Sequence, residues 1–280
     1  MSLSEVVYRR YPPSLEQAGF IEHLWTVQAP GWPEPRREIL IPNGRPSVVV
    51  NLAEPGARHD PLTGRSQVNG DTVFGITTRP HVLEQSGPSA YVGAQLRPWG
   101  LAVLLGTERL VDEVRPLHDC FGGRAAAELI GVLAGRGCGE AGARALEAFL
   151  VRHAAPLSAR TEEVLCRAVT AVDTSRGTLG AGELAHHAEV SADRLYRLFK
   201  SHLGVGPKKF SELTRYYHFV GGLLSDARDS AALLAQLHGY YDQAHAAHDF
   251  KRYTGVSARS FQRLHNGIAR LMHAPFLQAR

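Results

Sequence analysis

A short sequence pattern occurs twice in the last third of this 280-residue chain, and both copies keep the same internal spacing. One copy is LYRLFKSHLGVGPKKF and the other is HDFKRYTGVSARSF. In each, Phe-Lys is followed by Gly-Val and then by another Phe, and every shared residue is displaced by 51 positions. The shared pairs are Phe199 and Phe250, Lys200 and Lys251, Gly204 and Gly255, Val205 and Val256, and Phe210 and Phe261. The repeat predicts that one small structural unit is built twice.

Each copy predicts a short helix, a tight connection and a longer helix, which is the helix-turn-helix plan. In the first unit these are GELAHHA, EVS and ADRLYRLFKSHLG, with Ser191 as the N-cap of the longer helix and Gly204 as its left-handed stop. In the second unit the helices are SAALLAQLHG and DQAHAAHDFKRYTG, and Asp242 stands where Ser191 stood. We call each unit a reader, because such a second helix fits the major groove of DNA. A linking helix through LTRYYHFVGGLLSDA would set two readers about one DNA turn (~34 Å) apart.

The rest of the chain predicts an α+β protein. Residues 1–110 contain β-type segments between turn signals, namely EILIPNGRPSVVVNL, DTVFGI, HVLEQ and AYVGAQL, and we expect a small barrel that senses a ligand or dimerises. Residues 111–157 predict a helical connector, in which glycines interrupt the helices. Residues 158–280 predict an all-α part with readers at about 179–204 and 230–255.

The net charge of +4 is divided unequally. Residues 1–174 hold 17 arginines and no lysine against 19 acidic residues, a net of −2. Residues 175–280 hold 14 lysines and arginines against 8 acidic residues, a net of +6. A basic part beside a near-neutral part favours a polyanion-binding unit joined to a unit with another task, although chance variation of the surface would give the same numbers.

Other classes of protein find little support in the sequence. No apolar segment approaches the ~18–20 residues of a membrane span, and MSLSEVVYRR lacks the core of a signal peptide. The three cysteines, Cys120, Cys138 and Cys166, match neither a zinc site nor a disulfide framework, so a reducing cytoplasm fits best. No nucleophile elbow, phosphate loop or zinc-protease motif occurs, so we expect no enzyme, no cofactor and no metal.

Residues 158–265 resemble the tandem helix-turn-helix domain of AraC-type bacterial transcription regulators. The similarity rests on LAHHAEVSADRLYRLFKSHLGVGPKKF and LLAQLHGYYDQAHAAHDFKRYTGVSARSF, especially GYYDQAH and FKRYTGVS. It implies sequence-specific binding upstream of promoters, control of RNA polymerase recruitment, and an N-terminal part that senses an effector or forms a homodimer. Residues 38–110 more weakly resemble a domain that often precedes this one, through ILIPNGRPSVVVNL, FGITTRPH and LRPWGLAVLLG.

Helical spacing selects the side chains that would face DNA. In the first reader, Arg197 suits guanine because its fork matches O6 and N7, and Tyr196 suits a thymine methyl or a phosphate. In the second reader, Gln243 suits adenine, and His248 replaces Arg197, which exchanges a permanent charge for one that titrates near neutrality. The expected DNA-facing residues are Ala192, Asp193, Arg194, Tyr196, Arg197 and Lys200, then Gln243, Ala244, His245, Ala247, His248 and Lys251, with Lys200, Lys251, Lys208 and Lys209 on phosphates.

Polar and aromatic residues near the predicted N-terminal strands are candidates for an effector site in a barrel mouth. They are Trp25, Asn43, Arg79, His81, Gln95, Arg97 and Trp99. Taken one at a time, each is better explained by a structural role. Two alternatives remain open: a constitutive DNA binder whose N-terminal domain only dimerises, and a ligand-binding or catalytic N-terminal domain joined to a protein-binding helical module.

Overall fold

The N-terminal half of the computed structural model consists of two antiparallel sheets. The structure describes residues 6–106, 109–225 and 240–263, together with 267, 269–271 and 273. The first sheet has the order β1-β2-β9-β4-β7-β10 and the second has the order β3-β8-β5-β6. The strands are β1 (Val7–Tyr11), β2 (Ile21–Ala29), β3 (Arg36–Leu40), β4 (Ser47–Asn51), β5 (Gly56–His59), β6 (Ser66–Asn69), β7 (Thr72–Phe74), β8 (His81–Gln85), β9 (Ser89–Leu96) and β10 (Val114–Pro116).

The expectation of a small barrel was wrong, whereas the α+β class is confirmed. In the part of the chain that the structure describes, β3, β8, β5 and β6 pair only with one another, and no ladder joins them to the first sheet. The edge strand β10 is three residues long and ends in Pro116, which has no N–H to donate to a further strand. Closure into a barrel requires paired edges on both sides, so the two sheets stay open.

The two faces of the first sheet have different neighbours because side chains alternate along each strand. On β9, Val92, Ala94 and Leu96 belong to the main apolar core, which also includes residues of the helices. Tyr91 points to the other face, where it packs with Val49 and Phe74 in a smaller cluster. The sheet therefore separates a helix-covered core from an inner face that looks towards the second sheet.

In the part of the chain that the structure describes, four α-helices accompany the sheets: α1 (Gly100–Leu105), α2 (Leu117–Phe121), α3 (Gly123–Arg136) and α4 (Glu140–Arg152). Glycines separate the helices of this region as expected, because Gly106, Gly122 and Gly137 follow α1, α2 and α3, whereas Gly131 and Gly135 lie within α3. Helix α4 packs on β2 and β9. Its buried Glu147 carboxylate accepts hydrogen bonds from the backbone N–H groups of Ser14 and Leu15 at 2.6 and 2.9 Å, which fastens the connection between β1 and β2 to this helix.

The C-terminal half is helical throughout the described residues: α5 (Ala159–Thr174), α6 (Ala181–His187), α7 (Ala192–His202), α8 (Pro207–Ser225), α9 (Gln243–Thr254) and α10 (Ala258–Arg263). Helix α5 buries one apolar face, which consists of Val164, Leu165, Ala168, Val169 and Val172. The linking helix α8 begins earlier than its apolar pattern suggested, at Pro207, a residue suited to the first helical turn. The predicted first helix of the second reader, about 230–239, lies outside the described residues. No described helix is long and apolar enough to cross a membrane.

Candidate DNA interface and ligand cavity

The first reader has the predicted geometry. Ser191 Oγ accepts a hydrogen bond from the Arg194 backbone N–H at 3.3 Å and so caps α7. Leu195 and Phe199 are fully buried, and the Phe199 ring meets the Phe210 ring edge-on at 5.8 Å. Gly204 follows the helix with φ +78°, a left-handed conformation that glycine adopts without strain.

The opposite side of α7 is exposed. Ala192, Asp193, Tyr196, Arg197 and Lys200 are all exposed there, and Tyr196 leaves 54% of its surface to solvent. Arg194 lies half-buried at the edge of this face. The Arg197 Nε–H donates to the Asp193 carbonyl at 3.4 Å, and Lys200 Nζ donates to the Gly204 carbonyl at 3.1 Å. Both cations therefore rest against their own helix and are accessible to another molecule.

The second reader repeats this arrangement on α9. Asp242 Oδ1 accepts a hydrogen bond from the His245 backbone N–H at 2.7 Å, as the N-cap prediction required. Ala246 and Phe250 are buried at the positions equivalent to Leu195 and Phe199, and Gly255 has φ +77°. The exposed face consists of Gln243, Ala244, His245, Ala247, His248 and Lys251.

The second reader has a buried carboxylate at a position where the first reader has an apolar side chain. Asp249 stands where the first reader has the half-buried Leu198, and it is itself buried. Its oxygens lie 3.8 Å from His245 Nε2 and 3.9 Å from His248 Nδ1. Helical spacing placed both histidines on the outward face, but the carboxylate beneath them was missed. The aligned repeats place Asp249 opposite Leu198, and this change from an apolar to an acidic residue could have indicated the buried carboxylate.

The two lysines that open α8 have different surroundings. Lys208 is exposed. Lys209 Nζ donates to Glu212 Oε2 at 2.7 Å and to the Tyr253 hydroxyl at 3.3 Å, so it joins the linking helix to the second reader. Burial alone would lower the pKa of Lys209, but its hydrogen bonds to Glu212 and Tyr253 outweigh burial and the pKa is raised. Lys209 therefore stays charged within this contact.

A cavity of about 240 Å³ lies between the inner faces of the two sheets. Aromatic and aliphatic side chains form most of its wall, while Arg10, Arg36, Arg45, Glu38 and Glu84 bring charge to it. Residues Gly267 and Leu271, which follow the second reader, also line it, and Arg10 Nη2 donates to the Leu271 carbonyl at 3.3 Å. The apolar and aromatic lining residues include Tyr8, Trp25, Val27, Trp32, Leu40, Val49, Phe74 and Tyr91.

The structure brings three of the seven effector candidates to this cavity: Trp25, Asn43 and Gln95. Alternation along β2 and β9 turns Trp25 and Gln95 inward. Asn43 Nδ2 donates to Gln95 Oε1 at 3.2 Å. Sequence reasoning missed Arg10 and Arg45, whose approach to the cavity depends on how the sheets and the C-terminal segment meet.

The other four candidates, Arg79, His81, Arg97 and Trp99, do not line this cavity, so the structure does not bring the seven residues together in one site. Trp99 is fully buried in the main core, and the Arg97 Nε–H donates to the Gly19 carbonyl at 2.8 Å. Arg79 lies 3.5 Å from Asp60 and 3.7 Å from Asp112. Arg97 and Trp99 follow the end of β9, Arg79 lies between β7 and β8, and His81 is the first residue of β8.

His81 is only 6% exposed, and neither of its ring nitrogens has a hydrogen-bond partner among the residues that the structure describes. Burial first, and then the positive charge of Arg58, lowers the pKa of His81, while Asp60 and Asp112 act in the opposite direction. A neutral imidazole is therefore favoured here. Within the described residues, no three His, Cys, Asp or Glu side chains are grouped closely enough to hold a metal ion.

Arg45, in the cavity wall, forms ion pairs with two carboxylates. Its Nε–H donates to Glu22 Oε2 at 2.9 Å and its Nη2 donates to Asp173 Oδ2 at 2.7 Å. Burial opposes the charge on Arg45, but Glu22 and Asp173 outweigh it and the pKa of Arg45 is raised. Burial likewise raises the pKa of Glu22, and Arg45 and Gln95 more than reverse this effect, so that the pKa is lowered.

Comparisons with known sequences find a family match in each of two separate segments of the chain. Residues 184–264 match a family described as a helix-turn-helix domain, and residues 9–112 match a family described as a domain of unknown function (DUF6597). None of the curated proteins matches the sequence.

Several solved structures are similar to parts or most of the chain. A transcriptional regulator with an AraC-type DNA-binding domain from Chromobacterium violaceum is 22% identical, with 38% of this chain and 95% of that one covered and a TM-score of 0.34. ToxT from Vibrio cholerae is 9% identical, with coverage of 93% and 99% and a TM-score of 0.46. The AraC-like transcriptional activator CuxR is 15% identical, with coverage of 70% and 80% and a TM-score of 0.31.

The two family matches fall on the two halves that the fold separates, and the helix-turn-helix match spans both capped helices, α7 and α9. The chain therefore combines a region that is similar to helix-turn-helix domains, residues 184–264, with a preceding region, residues 9–112, that is similar to the family DUF6597.

Proposed function

We propose that this protein is a transcription regulator that binds a specific DNA sequence through both readers. The observation that carries the proposal is the pair of capped helices, α7 and α9, each buried on one side and exposed on the other. Both exposed faces hold groups that suit base edges or phosphates, and the two helices occupy the same register of a 51-residue repeat. In this proposal residues 1–110 sense a ligand or dimerise, 111–157 connect, and 158–280 bind DNA.

Base reading is assigned to the residues near the start of each reader helix. Arg197 offers a guanidinium fork to guanine, and Gln243 offers an amide to adenine. Lys200, Lys251 and Lys208 are exposed and would contact phosphates. Lys209 would have to leave Glu212 and Tyr253 to do so. Bound upstream of a promoter in the bacterial cytoplasm, the protein would act on RNA polymerase, alone or as a homodimer.

Fluorescence anisotropy tests this proposal with two duplexes, one from upstream of the protein's own gene and one with the same bases scrambled. We expect tighter binding to the upstream duplex, a preference that Arg197→Ala removes. Titration at several salt concentrations separates phosphate contacts from base contacts, because only the former release counterions. Equal and steeply salt-dependent binding to both duplexes would show that the protein binds DNA only through a basic surface, without sequence specificity. A chain that binds neither duplex at low salt is instead a protein-binding helical module.

We further propose that a small molecule in the cavity between the sheets controls this activity. The cavity has the mostly apolar wall with a few polar groups that is typical of ligand sites. Its volume of about 240 Å³ suits a body of roughly two rings, since a cavity of ~150 Å³ accepts benzene. Two lining residues, Gly267 and Leu271, come from the chain that follows the second reader, so a ligand would touch both halves of the protein.

A thermal-shift screen of the full chain tests the ligand proposal. A compound that binds only the folded state raises the melting temperature, by an amount that grows with its concentration. The control is Val49→Trp, which fills the cavity floor and should abolish the shift while the chain still melts cooperatively. If no compound raises the melting temperature of the wild type, an N-terminal domain that only dimerises becomes the better account, and the DNA measurement remains valid.

A further inference from the structure

The turn that contains Asn43, Gly44 and Arg45 lies between the cavity and the DNA-binding helices. Asn43 Oδ1 accepts a hydrogen bond from the Arg45 backbone N–H at 2.9 Å and shapes the turn. Gly44 has φ +69°, and a Cβ there would lie 3.0 Å from Cε2 of Phe210 in the linking helix α8. Asn43 and Arg45 line the cavity, while Gly44 faces α8. One short turn thus has a ligand side and a DNA-domain side.

Arg45 spans these two sides with one guanidinium. Asp173, which pairs with its Nη2, belongs to α5, the first helix of the C-terminal half. The same guanidinium lies over the Phe210 ring, with 5.5 Å from its central carbon to the ring centroid. Glu22, on β2, holds the Nε–H. Arg45 therefore takes part in two things at once: the contact between the two halves of the chain, and the wall of the cavity.

The guanidinium has donors left over for a ligand. A guanidinium carries five N–H groups, and the hydrogen bonds of Arg45 within the described residues use Nε and Nη2. The Arg45 side chain is only 10% exposed, whereas Asp173 is 40% exposed. When a carboxylate that pairs with a buried cation is removed, the positive charge of the cation is left without a partner. A second anion near that cation is then bound more tightly.

We propose that an anionic group on a cavity ligand competes with Asp173 for Arg45, which makes Arg45 the link between ligand binding and the DNA-binding helices. This inference rests on the proposed ligand site. The ligand class is an apolar body of about two rings that carries a carboxylate, sulfonate or phosphate. Thermodynamic reciprocity requires that the bound anion weakens the contact between Arg45 and Asp173 by the same factor by which Asp173 weakens anion binding.

Two fluorescent probes with the same ring body test the competition in the full chain. Naphthylamine is neutral at pH 7, and naphthylamine sulfonate adds one negative charge to the same two rings. The quantity measured is the ratio of the two dissociation constants in the wild type and in Asp173→Asn. Asp173 does not line the cavity, so its replacement alters the site only through Arg45. We expect Asp173→Asn to favour the anionic probe over the neutral one by about fivefold, the low end of ordinary coupling between sites.

Glu163→Gln is the matched control. Glu163 lies on the same helix α5 and is also paired with an arginine, Arg167, at 2.8 Å, but it has no contact with the cavity. The substitution removes the same unit of charge, so it should leave the probe ratio at its wild-type value. Asp173→Glu retains the charge and should do the same, which separates loss of charge from disturbance of the helix.

The possible results are distinct. A ratio that is unchanged in Asp173→Asn overturns the proposal, and so does an equal change in Glu163→Gln, which would show only the long-range effect of net charge. If neither probe binds the wild type with saturation, the ligand site itself is refuted and the competition with it. DNA binding by the readers is measured independently and would survive that result.

Discussion

The glycines that end the two reader helices allow a prediction in which one member of the pair controls for the other. Gly204 and Gly255 occupy equivalent positions and have nearly equal φ values, +78° and +77°. Replacement by alanine forces a side chain into the left-handed region at a cost of ~1–2 kcal/mol at either position. The surroundings differ. A Cβ at Gly204 would lie 2.4 Å from Val111 Cγ2, whereas at Gly255 the nearest atom is Pro80 Cγ at 3.8 Å.

We therefore expect Gly204→Ala to be the more destabilising substitution. Both variants lose ~1–2 kcal/mol to backbone strain, and Gly204→Ala loses a further ~1–3 kcal/mol because the contact with Val111 is too close for a methyl group. Scanning calorimetry of the full chain measures the difference as a lower melting temperature for Gly204→Ala than for Gly255→Ala.

A second substitution isolates the steric part. Val111→Ala removes the methyl group that a Cβ at Gly204 would meet, so it should recover part of the loss in Gly204→Ala. In the Gly255→Ala background it should give no recovery. Equal melting temperatures for the two glycine variants, or no recovery with Val111→Ala, would refute the close docking of the first reader against the segment at residue 111.

Three further predictions concern the readers and the sheets. We expect the first reader to contribute more of the affinity than the second, because it carries the permanent charge of Arg197 where the second has His248. Arg197→Ala should therefore weaken binding to the cognate duplex by ~1–3 kcal/mol and His248→Ala by clearly less, as measured by anisotropy, and equal losses would contradict this expectation. Ser191→Ala and Asp242→Ala should each cost ~1 kcal/mol of stability in thermal unfolding, and a cost near zero would contradict the observed caps. Burial, followed by the charge of Arg10 and against the opposing effect of Glu22, lowers the pKa of His23 from 6.5 to about 4. The unfolded chain then binds a proton that the fold excludes, so stability falls by about 3 kcal/mol as the pH drops from about 6.5 to about 4, and His23→Gln should lose this dependence in denaturant titrations.

The acid dependence of Glu22 has the same direction but lies lower on the pH scale. Its pKa in the fold is below the ordinary value, because Arg45 and Gln95 outweigh burial. Such a carboxylate stabilises the fold above its unfolded pKa of about 4.3, and the stabilisation is lost as the pH falls through the folded pKa. The loss due to His23 should therefore come first on acidification.

The readers could be predicted from the sequence because their signals are local and are repeated. Ser191 and Asp242 each precede a periodic apolar pattern by one residue, and Gly204 and Gly255 follow it. Capping and helical period depend on neighbouring residues along the chain, and two copies in one register exclude most accidental matches. Burial of Leu195 and Phe199, with exposure of Arg197, follows directly from that period.

The N-terminal half was less predictable because its arrangement depends on contacts distant in sequence. Strands β1, β2, β5, β6 and β10 were not predicted from the sequence. The order of strands in a sheet is also not determined by the pattern of neighbouring residues along the chain. For β2 the register shift between Ile21 and His23 interrupts the alternation at its start. The Arg45–Asp173 pair joins residues 128 positions apart, so neither residue signals the other in the sequence.

In the proposed function, one chain reads two successive major grooves with α7 and α9. Methylation of guanine N7, which obstructs the major groove, tests this arrangement in an interference experiment on the cognate duplex. We predict two groups of guanines at which methylation prevents binding, about one helical turn apart on the same face of the DNA. In Arg197→Ala, methylation should cease to interfere at only one of the two groups. A single group, or two groups that both persist in Arg197→Ala, would contradict the account.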